Sequence, residues 1–279
     1  MIEYSVEIDE PLFELLSIFS QAAESVEAPW LVVGATARIL LLENIYGLPQ
    51  GRATQDVDFG VQVGDWVQYK TLCERLKEQG ADSTARKPEK RFRTKQDMIF
   101  DLVPYGGVED GKGRVFWPPE EDDVMTVSGF NSAAEKAIKV MVNKQLTVPV
   151  ISPCGLCELK LFAWEERHKQ QPRKDAQDIA YIIRHVEAIY PAAKLFDVHM
   201  SAVEAADYNI THAGIFQLGA DMAIMLTGEE KQLLSTLVGN ELAQQDDSVL
   251  CRELNHYSND NMEATIETIQ YIHKGLTSN

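Results

Sequence analysis

A chain of 279 residues with 45% hydrophobic and 25% charged side chains has the composition of a soluble globular protein and the length of one or two domains. Its formal charge of −17 sets up a field that repels polyanions, which excludes non-specific DNA binding and adhesion to an anionic membrane and confines any nucleic-acid contact to a local patch. Cys73, Cys154, Cys157 and Cys251 are too few for a disulfide framework, so reduced thiols are expected.

The first residues, Met1-Ile2-Glu3-Tyr4, lack the basic and apolar regions of a signal peptide, and no apolar run approaches the roughly 18 residues of a membrane span. A cytoplasmic protein without a membrane partner is the expectation. From Glu10 to Val26, apolar residues recur at helical spacing and predict an amphipathic first helix. Leu31-Val32-Val33 then run into Gly34, and a helix-forming stretch from Ala35 to Tyr46 follows, stopped by Gly47. This reads as strand, tight turn, helix. After a Pro/Gly-containing link, Thr54 leads into Asp56-Val57-Asp58-Phe59, and Val61-Gln62-Val63 continues the run. Charged and apolar residues alternate as in a strand with one wet face, so Asp56 and Asp58 point the same way. Two like charges at that spacing repel, and with no Lys or Arg set against them they call for a cation, most naturally Mg²⁺.

Trp66 to Gln79, ended by Gly80, predicts a second helix. Arg86, Lys87, Lys90, Arg91, Arg93 and Lys95 then place six positive charges within ten residues, on a strand expected to pair around Gln96-Asp97 with Met98 to Val103. That basic strand either docks phosphates or is a solvated edge whose charges discourage aggregation. Asp101 is a lone carboxylate within the apolar partner strand and is placed to complete a triad with Asp56 and Asp58. Strands and helices in this order predict a mixed sheet with carboxylates on one face and helices on the other, an α+β or mixed α/β fold. Residues 109–123 form a polar loop around Trp117-Pro118-Pro119, a surface loop or a lid. Short strands are expected at Val124–Val127 and Leu146–Ile151, with a helix from Ala133 to Asn143 between them. The first domain is expected to end near Val150, giving a division into residues 1–150 and 151–279.

Ser152-Pro153 is a helix start, and along Leu156 to His168 the residues Lys160, Trp164 and Arg167 share one stripe. Another helix opens at Arg173-Lys174-Asp175-Ala176-Gln177-Asp178. There Asp175 and Asp178 either complement the helix dipole or pair with Lys160 or Arg167. Cys154 and Cys157 lack the two further ligands that zinc needs, and the six histidines fall at no ligand spacing. Helices are expected at Ile179–Ala188, Ala192–Asp207, Thr211–Met225, Glu229–Leu242 and Met262–Lys274. Residues 228–279 hold nine acids against three bases, a surface suited to solvent or a basic partner.

Gly34-Ala35-Thr36 opening a helix, Asp56-Val57-Asp58, and Asp101 on a later strand together resemble the DNA polymerase β-like nucleotidyltransferase superfamily. Leu31 to Ala37, Leu159-Lys160 and Arg173-Lys174-Asp175 are similar to the AbiEii/AbiGii abortive-infection toxins within it, over roughly the first two thirds of the chain. Where that family carries a second Gly or Ser in the turn this chain has Ala35, leaving Thr36 to supply a hydroxyl, and the spacing from turn to Asp56 is longer. The resemblance implies a nucleotidyltransferase-type sheet domain followed by an all-helical domain. It implies transfer of a nucleoside monophosphate from an NTP to an acceptor hydroxyl, with Mg²⁺ on Asp56, Asp58 and Asp101. Lys160 would offset phosphate charge, and Gly34, Ala35, Thr36, Arg38, Thr54, Lys174 and Asp175 would border the nucleotide. The implied partners are an RNA acceptor such as tRNA and an antitoxin protein. A small-molecule or protein acceptor, or a catalytically idle scaffold, are the other readings of the same residues.

Overall fold

The computed structural model describes residues 4–278 apart from 52, 85–88, 120, 122, 172 and 259. It divides into two compact units, Met1–Ser152 and Pro153–Asn279. The first contains, in order, β1 (Tyr4–Val6), α1 (Glu10–Ser25), β2 (Trp30–Val33), α2 (Gly34–Arg38), β3 (Asp56–Val63), α3 (Trp66–Glu78), β4 (Asp82–Ser83), β5 (Arg91–Arg93), β6 (Ile99–Gly106), β7 (Arg114–Phe116), β8 (Val124–Thr126), α4 (Phe130–Glu135), β9 (Ile138–Val142) and β10 (Leu146–Val150). Among the described residues eight strands form one mixed sheet in the order β1-β9-β10-β2-β3-β6-β5-β4, and β7 pairs with β8.

Alternation along the central strands sorts the two faces of this sheet. Val57, Phe59, Phe92, Phe100 and Leu102 are buried on the face that meets α1. There Phe19 stacks on Phe59 with ring centroids 3.8 Å apart and meets Phe100 edge-on at 6.2 Å. The intervening residues Asp56, Asp58 and Asp101 therefore emerge on the other face. Helix α1 is set for this packing by Asp9, whose carboxylate accepts the Leu12 amide at 3.1 Å as an N-cap, and by a buried stripe of Leu15, Leu16, Phe19, Ala22 and Ala23.

Several expectations need correction. The helix from Ala35 to Tyr46 is α-helical only as far as Arg38, after which Ile39–Ile45 winds as a π-helix. Residues 133–143 are not one helix: α4 ends at Glu135, and Ile138, Val140 and Val142 alternate with Lys139 and Met141 in β9, whose pairing with both β1 and β10 outweighs helical propensity. The 109–123 loop holds β7, and Trp117 within it is buried against Trp66 and Tyr69 of α3. Of the basic stretch, Arg86 and Lys87 lie outside the described residues.

The second unit comprises α5 (Pro153–Arg167), α6 (Lys174–Arg184), α7 (Val186–Ile189), α8 (Ala192–Val198), α9 (Met200–Ala205), α10 (Ile210–Met225), α11 (Gly228–Ala243), α12 (Val249–Asn255) and α13 (Met262–Thr277), with a 3₁₀ turn at Gln245–Asp247. Helices α10 and α13 touch backbone to backbone, since a β-carbon on Gly219 would stand 2.2 Å from the Ile272 carbonyl oxygen. The helix expected from Ala192 to Asp207 breaks at His199 into α8 and α9. Helix α12, capped by the Ser248 hydroxyl on the Cys251 amide at 3.0 Å, is an addition. All four cysteines are buried free thiols, and burial pushes the Cys157 thiol up to about 12.

Candidate active site

Strand β2 ends at Val33, whose register partner on antiparallel β3 is Asp58; β3 in turn runs parallel to β6, where Asp58 stands opposite Asp101. Gly34 follows at φ +65°, and a β-carbon there would lie 2.1 Å from Asp58 Oδ2. The turn must be glycine on both counts, and the bare backbone it leaves is where the Asp58 carboxylate sits. Thr36 donates its hydroxyl to the Asp56 carbonyl oxygen at 3.3 Å, and Thr54 donates to Asp56 Oδ1 at 2.9 Å. These two hydroxyls hold Asp56 at the start of β3. Ala35 is buried, and Arg38 is 1% exposed with its guanidinium on Glu43, which also accepts the Gly51 amide.

One premise of the sequence reading is overturned. The carboxylates are not left without a basic partner, because Arg91 spans two of them. Its Nε and Nη2 donate to Asp101 Oδ1 and Oδ2, both at 2.7 Å, and Nη2 also reaches Asp56 Oδ2 at 2.9 Å. Arg91 and Asp101 are direct cross-strand partners between antiparallel β5 and β6, so the fork meets the carboxylate edge-on in bidentate geometry. Those hydrogen bonds, with the charges of Asp101, Asp56 and Asp58, raise the Arg91 pKa above its ordinary value. The role of Arg91 was legible in one signal: a hairpin centred on Gln96 puts residues 91 and 101 opposite each other.

Two other basic residues of this stretch are also engaged. Lys90 pairs with Asp123 and lies 5.6 Å over the Trp117 ring, which ties the 109–123 segment to β5, and Arg93 meets Asp97 at 3.2 Å. Three carboxylates on one sheet face are hard oxygen donors of the kind Mg²⁺ takes, and the Gly34 turn keeps clear the space that Asp58 occupies. The donor set fits such an ion. Among the described residues no group of three or more His, Cys, Asp or Glu side chains is gathered closely enough to hold one as it stands, with Asp56 and Asp101 both turned onto Arg91.

The remaining candidates lie in the second unit. Lys160 on α5 is 8% exposed and its ammonium lies 3.1 Å from Asp175 Oδ1 and 2.7 Å from Asp178 Oδ2, both on α6. Arg167, two turns further along α5, donates to Asp175 from Nε and Nη2, each at 2.6 Å. Two cations and two carboxylates thus form a charge-balanced set in which Lys160, Asp175 and Asp178 are buried. Burial alone would lower the Lys160 pKa, but the charges of Asp178 and Asp175 outweigh it and raise the value; Asp175, pushed up by burial, is brought below the ordinary carboxylate value by Arg167 and Lys160. Lys174 is exposed at the start of α6. The sequence reading passed over Glu158, one turn before Phe162 on α5. Its side chain is 0% exposed, neither oxygen has a hydrogen-bond partner among the described residues, and desolvation followed by the charge of Glu230 raises its pKa well above the ordinary value.

Among the described residues no helix is long and apolar enough to cross a membrane. No curated protein sequence matches the chain. Solved structures similar to it include the antibiotic-resistance factor ANT(2'')-Ia, at 13% identity and a TM-score of 0.38, covering 72% of this chain and 99% of that one. Another is the Thermotoga maritima CCA-adding enzyme in complex with tRNA, at 12% identity and a TM-score of 0.29, covering 96% of this chain and 81% of that one. The sequence profile described as "Nucleotidyl transferase AbiEii toxin, Type IV TA system" matches residues 18–250, a span that takes in the Gly34 turn, the three aspartates, Lys160 and the Asp175–Asp178 pair. By that match the chain belongs to the AbiEii family of nucleotidyl transferase toxins and is an enzyme of nucleotidyl transfer.

Proposed function

We propose that this enzyme moves a nucleoside monophosphate from an NTP to an acceptor hydroxyl in a Mg²⁺-dependent reaction, with residues 1–150 as the catalytic domain and residues 151–279 as a helical domain. The observation that carries the reading is the convergence of Asp56, Asp58 and Asp101 on one sheet face beside a turn whose glycine makes room for Asp58. The acceptor oxygen forms a bond to the α-phosphorus, the bond from that phosphorus to the bridging oxygen of pyrophosphate breaks, and the acceptor proton passes to Asp101. Asp56, Asp58 and Asp101 would hold the metal, which when bound neutralises phosphate charge. Thr36 and Thr54 fix Asp56 through hydrogen bonds, so its position is set before substrate arrives. Gly34, Ala35 and Thr36 are proposed to lie along the triphosphate, with Arg38, Lys174 and Asp175 bordering the nucleotide, and Lys160 to offset charge developing on the phosphates.

The acceptor is proposed to be an RNA of the tRNA class in a toxin–antitoxin setting, in the cytoplasm, with an antitoxin protein as partner; the family match supports that setting. A second reading, transfer to a small molecule, is favoured by one observation: Lys90, Arg91 and Arg93 each already face a carboxylate, so these three side chains are less available to a polyanion. Incubation with each α-labelled NTP and separated RNA, protein and small-molecule pools decides between them. Label in RNA that requires Asp56 and Mg²⁺ sustains the first reading, and label confined to small molecules replaces it with the second.

A further inference from the structure

Asp56 and Asp101 lie on neighbouring parallel strands, and the group that joins them is a side chain of the third strand. The Arg91 guanidinium meets both oxygens of Asp101 and one of Asp56. It therefore holds two of the carboxylates that would take up a divalent ion. The contact is not a buried structural pair, since the Arg91 side chain is 45% exposed and Asp56 and Asp101 are 34% and 27% exposed. An ion pair this wet exchanges readily with water and with competing cations. Arg93, on the same face of β5, is an internal comparison: it has the same charge and similar exposure, but its partner is Asp97 in the turn.

We propose that Arg91 is a built-in counter-ion that competes with the divalent metal for Asp56 and Asp101, so that the metal loads only by displacing the guanidinium. The inference rests on the proposed metal-dependent reading of the three aspartates. Its physical content is that the apparent affinity for the ion equals the intrinsic affinity reduced by the fraction of molecules in which Arg91 has swung away. Repulsion among the aspartates is thereby relieved in the metal-free protein without a permanent loss of the donor set. Because Arg91 is anchored on β5 beside the site, the displaced guanidinium stays within reach of whatever anion accompanies the metal.

The test is direct binding of Mn²⁺, with free ion followed by electron paramagnetic resonance, to the full chain without nucleotide. Arg91→Gln is expected to bind Mn²⁺ at least tenfold more tightly than the wild type. Arg93→Gln, which removes the same charge without touching Asp56 or Asp101, is expected to change the affinity less than threefold. Equal effects of the two variants would mean that only long-range charge is at work and would overturn the proposal. Arg91→Lys, which keeps the charge and loses the fork, is expected to fall between wild type and Arg91→Gln, and it serves if the glutamine variant does not fold. In the wild type, the Arg91 Nε–H signal in nuclear magnetic resonance should lose its protection from solvent exchange as Mg²⁺ is added; unchanged protection at saturating Mg²⁺ would also overturn the proposal. If instead wild type and a variant with both Asp56→Asn and Asp101→Asn bind Mn²⁺ equally, the metal-dependent reading itself has failed, an outcome distinct from failure of the Arg91 competition.

Discussion

Gly34 and Asp58 are fitted to one another: the carboxylate oxygen of Asp58 lies 2.1 Å from the point where a β-carbon on Gly34 would be, and the glycine holds φ at +65°. Gly34→Ala should therefore fail twice. The left-handed backbone costs an alanine about 1–2 kcal/mol, and the methyl group pushes Asp58 off its position. A displacement near 1 Å in a catalytic group lowers turnover by about 100-fold. Urea titration together with a transfer assay checks both, and near-wild-type transfer in the variant would take Asp58 out of the reacting centre.

Asp56→Asn should reduce transfer to background while leaving the melting temperature within about 4 °C of wild type. The lost partner is a half-exposed arginine, and such pairs contribute about 0–1 kcal/mol, which in a protein of this size moves the melting point by only a few degrees. A large fall in melting temperature would show that the Arg91 contact is structural.

Lys160→Met should be far more damaging to folding, by about 3–5 kcal/mol, because it leaves a buried carboxylate without its counter-charge. Adding Asp178→Leu restores the balance, since Arg167 and Asp175 then remain as a matched pair. The double variant is expected to recover at least half of the loss in urea unfolding. Additive losses would mean that Lys160 and Asp178 do not act on each other.

Glu158 should give stability a slope with pH. Its folded-state pKa is raised above the ordinary value of 4.5, so its contribution is fully present below that value and declines as pH rises toward the folded-state pKa. Glu158→Gln, which cannot ionise, is expected to gain melting temperature relative to wild type progressively as pH rises above the ordinary value of 4.5. A constant difference as pH rises would show that Glu158 titrates as an exposed carboxylate.

What could be read from the chain was whatever depends on neighbours in sequence. Alternation along Asp56-Val57-Asp58-Phe59 put both carboxylates on one face, and Gly34 after three apolar residues marked the turn. The opposition of Asp58 and Asp101 depends on parallel register between residues 43 positions apart in the chain, and no local pattern specifies it. Ile138 to Val142 has the alternation of a strand, but it lies beside the helix formers Ala133, Ala134, Glu135 and Lys136, and pairing with distant β1 decides the outcome. The Lys160 set was partly visible, since Arg167 lies seven residues on along the same helix, and Asp175 and Asp178 were candidates for pairing with both. The solitary burial of Glu158 carried no sequence signal, because an isolated glutamate among apolar residues on a helix is usually solvated.

Strand β1 joins the sheet by pairing in parallel with β9, so that Tyr4 lies beside Val140. The order of synthesis then matters. A nascent chain that has reached Asp101 has all three aspartates, but β9 and β10 have yet to form, and β10 is the neighbour of β2, the strand that positions Gly34. Contacts this distant in sequence are slow to form, because the intervening chain must be ordered first. The sheet around the carboxylate set is thus complete only once synthesis has passed Val150, and ribosome-bound fragments shorter than the first unit are expected to lack the finished site. For a member of a toxin family, that delay separates the making of the polypeptide from the onset of its activity.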